Sequence, residues 1–354
     1  MILKNLTILT VIYLILFNFA YPFAPDNALA SQKSALVSPK SASGFITMNF
    51  DLSSYPAGKE VKLWIPYPIS SEYQTISDIN IKGNYTESGV YTDKKFQTAI
   101  LYARWKPGIK TRKLIFQFHA RRIEVIRRNF PASEPCWNPA DFKMWLSPTS
   151  MEPINGPVKQ LVDKITKGKT GVLSKAKAIY DWICENMYRD PDTIGCGRGN
   201  VLKLLQKPGG KCTDIHSVFV ALCRAAGVPA REIFGIRMGK KPVVDITKWE
   251  HCWAEFYLPG YGWVPVDPAD VRKKMLKHHL SLKNKETQKW RRYFWGAWDP
   301  FRIRLSIGRD IRLNPSQAGS LLNNFGYPYA EINGNALDWY SPTTFKYKIS
   351  FHKK

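Results

Sequence analysis

Within Gly209-Gly210-Lys211-Cys212-Thr213-Asp214, two glycines allow close backbone approach and Cys212 falls at the first turn of an amphipathic helix. There the positive end of the helix dipole and unpaired N–H groups favour thiolate over thiol, lowering a free pKa of about 8.5. The same N–H groups suit the oxyanion of a tetrahedral intermediate. A thiolate of this kind needs an imidazole, and His251 follows at the head of a strand. His251, Trp253, Glu255 and Tyr257 share one face of that strand, and Cys252, Ala254, Phe256 and Leu258 share the other, which reads as core. Asp267, on the returning arm of a hairpin, comes within about 5 Å of such a histidine and can hold its tautomer. Each residue alone has a bland reading: a structural cysteine, a satisfied strand histidine, an Asp-Pro turn. Their order and the elements that carry them favour chemistry.

The elements follow from periodicity. Ser174 can cap a helix with Ile179, Trp182, Ile183 and Met187 on one face. After Cys212, the residues Ile215, Val218, Phe219, Leu222, Cys223 and Ala226 keep helical spacing until Gly227-Val228-Pro229. Strands then return around a Pro259-Gly260-Tyr261-Gly262 turn, so helices precede an antiparallel unit, an α+β order. Upstream, Val61-Lys62-Leu63-Trp64-Ile65 and Lys113-Leu114-Ile115-Phe116-Gln117-Phe118 alternate with period two, as half-buried strands do. The expected organisation is a β-sandwich-like domain over 44–130, a catalytic domain over 150–295 and a C-terminal β extension over 296–354, its strands added to the preceding sheet.

Lys4, the apolar run 6–19 and Ala28-Leu29-Ala30 form an export signal over 1–30, followed by a linker over 31–43. The run is shorter than the roughly 18 to 20 residues that span a bilayer, so cleavage is favoured over an uncleaved anchor. The expected location is periplasmic or extracellular. Of the 354 residues 44% are hydrophobic, which excludes a largely disordered chain, and the net charge of +24 favours anionic partner surfaces.

The strings GGKCTDIHSVFVALCRAAGVPARE and EHCWAEFYLPGYGWVPVDPAD closely resemble the transglutaminase-like superfamily of papain-like thiol enzymes, and YDWICENMYRD and DTIGCG look like its bacterial members. The motifs cover 209–270, and the resemblance extends over about 155–280. It implies a papain/transglutaminase-like core with Cys212 as nucleophile, His251 as general base and acid, and Asp267 as the orienting carboxylate. It implies no cofactor, and no acidic cluster resembles the calcium sites of animal transglutaminases. The chemistry is thiolate attack on a carbonyl, giving an acyl-thioester that water or an amine resolves. The expected function is an exported peptidase or amidase, hydrolysis being favoured over cross-linking, acting on a protein or peptide substrate or a cell-envelope polymer. The alternative is a non-catalytic envelope-binding protein on the same scaffold.

Other residues read more blandly. The six cysteines are too sparse for a disulfide scaffold, with Cys184–Cys196 the local candidate for a bridge. Without C-x-x-C or H-E-x-x-H, metal binding has no warrant. His216 reads as solvated or supporting, and Trp182 and Cys252 as core. Residues 272–292 carry nine Lys/Arg against Glu286 alone. That stretch is read as a solvated face or lid, with docking to an anionic surface as its functional reading. Nucleic acid is not an expected partner, since export and the absence of any binding motif argue against it.

Overall fold

The computed structural model describes residues 40–340 and 345–354. The export signal expected at 1–30 lies outside them. Among the described residues no helix is long and apolar enough to cross a membrane.

The fold is α+β, with a papain/transglutaminase-like core and additional strands on both sides of it in sequence. The N-terminal alternation forms a sandwich of two five-stranded sheets. One runs in the order Val243–Asp245, Tyr347–Lys353, Ser41–Asp51, Lys113–Ile123, Gln74–Gly83; the other, Asn335–Ala336, Tyr329–Ile332, Val61–Pro66, Ala99–Trp105, Glu87–Thr92. Its first strand begins at Ser41, inside the stretch expected to be linker. Ile46, Met48 and Phe50 face Phe118, Phe116 and Leu114 across the central antiparallel pair. All six are buried, and at about 1.5–3 kcal/mol per large apolar side chain this row contributes a substantial share of the sandwich core.

The four-stranded sheet that carries the site runs Gly262–Val266, Glu250–Leu258, Ala230–Arg237, Arg302–Ile307. Ile236, Ile303 and Leu305 of this sheet, with Met238 just past its strand, belong to the same apolar cluster as the sandwich interior, so the sandwich packs directly on it. The tail divides its strands. Arg302–Ile307 joins the preceding sheet as expected, whereas Tyr329–Ile332 and Tyr347–Lys353 return to Val61–Pro66 and Ser41–Asp51 and complete the sandwich. Alternation shows that one face of a strand is buried but does not name its neighbour, which is why the return is not visible in the tail itself.

The helix with Ile179 and Ile183 on its apolar side runs Val172–Asn186. Ser174 does not cap it. The Glu134 carboxylate accepts from the N–H groups of Val172 and Leu173 at 2.7 and 2.8 Å, and Ser174 turns back to the Thr170 carbonyl instead. An acid reaching in from a distant segment satisfies the same orphan donors that a local cap would, and it adds negative charge at the positive helix end.

Candidate active site

Cys212 is the first residue of the helix Cys212–Ala225, which is buried along nearly its whole length against the sheet. Asp214 braces its start: one carboxylate oxygen accepts from the Lys211 N–H at 3.1 Å, the other from the Gly199 N–H at 2.8 Å. A Cβ at Gly210 would lie 2.4 Å from Asp214 atoms, so the glycine lets the chain enter the helix past that carboxylate. The Thr213 N–H is taken by the Cys196 carbonyl at 2.8 Å.

His251 is the second residue of the strand Glu250–Leu258, and Asp267 follows the strand Gly262–Val266 that pairs with it. The imidazole Nε2 and Asp267 Oδ2 are 2.8 Å apart, leaving Nδ1 as the nitrogen available to Cys212. Asp267 Oδ1 accepts from the Asp270 N–H at 2.7 Å, because Asp267 is also the N-cap of the helix Pro268–Lys277. The Asp-Pro turn and the histidine-holding carboxylate are thus one residue, each oxygen with its own task.

Arg302 is the functional side chain that sequence reasoning missed. It is fully buried, and its guanidinium hydrogen-bonds Asp267, Asp270 at 2.8 Å and Asp299 at 2.9 Å. Alternation places it on the outer face of its strand, but both faces of that strand are covered, and no local signal marks the arginine. His251, Asp267 and Asp270 also place potential metal ligands within 4.8 Å of one another, but Arg302 is the cation those carboxylates hold.

Burial alone would raise the Asp267 carboxyl; the charges of Arg302 and His251 and hydrogen bonds from His216 and His251 hold it well below the usual range. Cys212 is lowered as well. Hydrogen bonds from the Cys196 and Cys252 thiols, then the hydrogen bond and charge of His251, outweigh the burial that opposes ionisation. Burial pushes the thiols of Cys184 (to about 12), Cys252 and Cys223 up, and hydrogen bonding to Cys212 adds to burial in raising Cys196.

Three expectations change here. Cys184 and Cys196 do not bridge: all six cysteines are free, and Cys196 lies beside Cys212 with its thiol on the Glu250 carbonyl at 3.2 Å. His216 is not solvated but fully buried, with Nε2 3.3 Å from Asp267 Oδ1 and Nδ1 3.6 Å from Cys252 Sγ. Cys252 is core, as its strand face implies, yet it also reaches Cys212 from beneath. Much of the basic stretch 272–292 is internally committed: Arg272 holds the Cys184 carbonyl at 3.0 Å, Arg291 pairs with Asp181 and Glu185, and Lys289 pairs with Glu286.

These shifts predict the labelling behaviour of the thiol. In a Cys136→Ser background, which removes the exposed cysteine, iodoacetamide at pH 6 should modify Cys212 alone. Adding Asp267→Asn should move the acidic limb of that labelling upward and slow turnover by roughly 10- to 10³-fold, about 1.4–4 kcal/mol. An amide cannot meet both sets of donors now facing the carboxylate. An unmoved limb with wild-type turnover would reduce Asp267 to a helix cap.

A cysteine at a helix start, facing a histidine that a neighbouring carboxylate holds, on this α+β core, defines a thiol-enzyme-like scaffold. The family model for the transglutaminase-like superfamily matches residues 159–268. The chain belongs to the transglutaminase-like superfamily. It is 37% identical to an uncharacterized protein of Haemophilus influenzae over 328 residues, which is 85% of this chain and 89% of that protein. It is also 28% identical over 126 residues to the uncharacterized protein YebA of Bacillus subtilis, covering 32% of this chain and 17% of that one. A candidate cysteine protease of known structure from Cytophaga hutchinsonii shares the fold, with a TM-score of 0.53 at 16% identity over 88% of this chain and 98% of that one.

Proposed function

We propose that the protein is an exported thiol enzyme that cleaves amide bonds through an acyl-thioester on Cys212. The observation that carries this reading is the low-pKa Cys212 thiol at the helix start, opposite a His251 ring whose far nitrogen is held by Asp267 at 2.8 Å. The thiolate attacks the carbonyl carbon and the Cys212 N–H is the donor the helix start provides for the oxyanion. His251, as imidazolium, protonates the leaving amine while the C–N bond breaks. It then takes a proton from water, whose oxygen attacks the thioester and releases the acid and the free thiolate.

Water is favoured over an amine as acceptor because the cleft beside Cys212 is bordered by cations, which repel a second ammonium but not water. Hydrolysis in H₂¹⁸O of a peptide mixture from cell envelopes tests this: ¹⁸O should enter new carboxylates, whereas incorporation of an added primary amine would point to cross-linking. The export reading rests on the N-terminal pattern, and detection of a mature chain beginning after Ala30 in the periplasm or medium checks it. With Lys273 on the cleft wall and Lys274 over the Trp290 ring, Lys277, Lys283, Lys285 and Arg292 are the cations of the 272–292 stretch left for an anionic envelope surface. Retention of a quadruple glutamate variant on anionic vesicles at low salt would return the stretch to a solvated face.

A further inference from the structure

The cavity beside Cys212 has a volume of about 600 Å³, within the range of roughly 300–1,000 Å³ that holds small ligands and short peptide segments. Four cations border it from four separate segments. Arg189 lies beside the glycine pair, Lys211 precedes the Cys212 helix, Lys248 precedes the His251 strand, and Lys273 stands on the helix that Asp267 caps. Among the described residues none of the four forms an ion pair, whereas Arg302, beneath the same site, is matched by three carboxylates. A fifth, Arg237, is occupied by Asp270 and Asp299. The one carboxyl group on the wall is Glu250, which burial raises to about 8, so that it is neutral at pH 7 and supplies no counter-charge. The remaining wall is aromatic, with Trp249, Tyr327, Trp339, Tyr340 and Tyr347, suited to the apolar parts of a peptide.

We infer that the cleft selects an acidic peptide, binding carboxylates on either side of the amide that Cys212 attacks. This rests on the reading of Cys212 as nucleophile and names the substrate class for that site. Unpaired cations spread over an exposed surface are screened over about 8 Å at physiological salt, but in a concave site with low-dielectric walls their fields add at the centre. Here four positive groups from four segments, rather than one helix face, border the same cavity as the reacting thiol. An acidic peptide provides both the amide for the chemistry and the charge for the walls.

Two reagents of the same size separate the charge of the cleft from the state of the thiol. In the Cys136→Ser protein at pH 7 and low salt, iodoacetate and iodoacetamide rates at Cys212 are compared with those of 2-mercaptoethanol. The protein's iodoacetate-to-iodoacetamide ratio should exceed that of the free thiol by at least tenfold, shrink as salt is added, and fall at least threefold in Lys248→Met/Lys273→Met. A peptide aldehyde with glutamates before the aldehyde should inhibit at least tenfold better than its glutamine counterpart. Rapid iodoacetamide labelling with no preference for iodoacetate, or equal inhibition by the two aldehydes, overturns the acidic substrate class alone. Slow labelling by both reagents overturns the nucleophile reading, and the substrate class with it.

Discussion

Replacing Cys212 with alanine should abolish turnover, by at least about 10³-fold, while the protein folds as before. The loss is chemical, since no other described thiol is both low in pKa and set against an imidazole held by a carboxylate. The structural cost is small: the buried side chain loses one sulfur atom on the cleft wall, and a change of about 1 kcal/mol is the usual scale for a limited truncation. Cys223→Ala should behave in the opposite way. Cys223 is fully buried on the apolar side of the same helix, so its truncation should lower the unfolding midpoint and leave the reaction intact. Single-turnover kinetics beside urea unfolding for the two variants checks the pair. Substantial turnover in Cys212→Ala would move the nucleophile elsewhere.

Arg302→Met should have the largest effect on stability of any substitution near the site. The change keeps the volume roughly but leaves Asp267, Asp270 and Asp299, one of them fully buried and the others largely so, facing one another with Arg237 as the remaining guanidinium and the imidazoles of His251 and His216 beside them. Breaking one side of a buried ionic network costs about 3–5 kcal/mol, against a total stability of roughly 5–15 kcal/mol for a typical protein. Lysine should rescue only part of this, because a single ammonium cannot reproduce the planar fork that reaches three carboxylates at once. The pH dependence has a definite sign. These carboxyls are lowered in the folded protein, so their contribution is fully present above their unfolded value of about 3.9 and is lost as pH falls through the folded values. Wild-type protein should therefore hold its stability down to about pH 4, whereas in Arg302→Met burial no longer opposed by the guanidinium raises these carboxyls, so the variant should be weakest near neutral pH and regain part of the loss as they are protonated on acidification. An unfolding midpoint within experimental scatter of wild type would mean that water replaces the guanidinium at no cost.

The parts of the site legible in the sequence are those whose position is encoded locally. Glycines followed by helical spacing put Cys212 at a helix start, and alternation around a glycine turn puts His251 and Asp267 on paired strands. What escaped depends on contacts between distant segments. Glu134 caps a helix that has its own serine nearby, Cys196 comes to Cys212 through the carbonyl that takes the Thr213 N–H, and Arg302 enters from the tail. The solvated reading of His216 fails for a related reason, while its contact with Asp267 agrees with the supporting one. A polar residue near the edge of a helical stripe reads as wet when only its own helix is considered, but the paired strands and the helix beginning at Pro268 close over it. The division of the tail between two sheets belongs to the same class, since period two is identical in either.

The pairing of Ser41–Asp51 with Tyr347–Lys353 bears on how the protein is born. Phe45 lies opposite His352 and Met48 opposite Ile349, so the first of these strands waits for a partner that is synthesised roughly 300 residues later. Until then it has Lys113–Ile123 on one side and an open edge, rich in Ile, Met and Phe, on the other. Pairings so far apart in sequence make folding slow, and an unpaired apolar strand edge is a template for association with other chains. A chain held unfolded until it is whole, as during passage across a membrane, would avoid both hazards; a nascent chain folding as it emerges would meet them in full, and should depend heavily on a chaperone that covers its first strands.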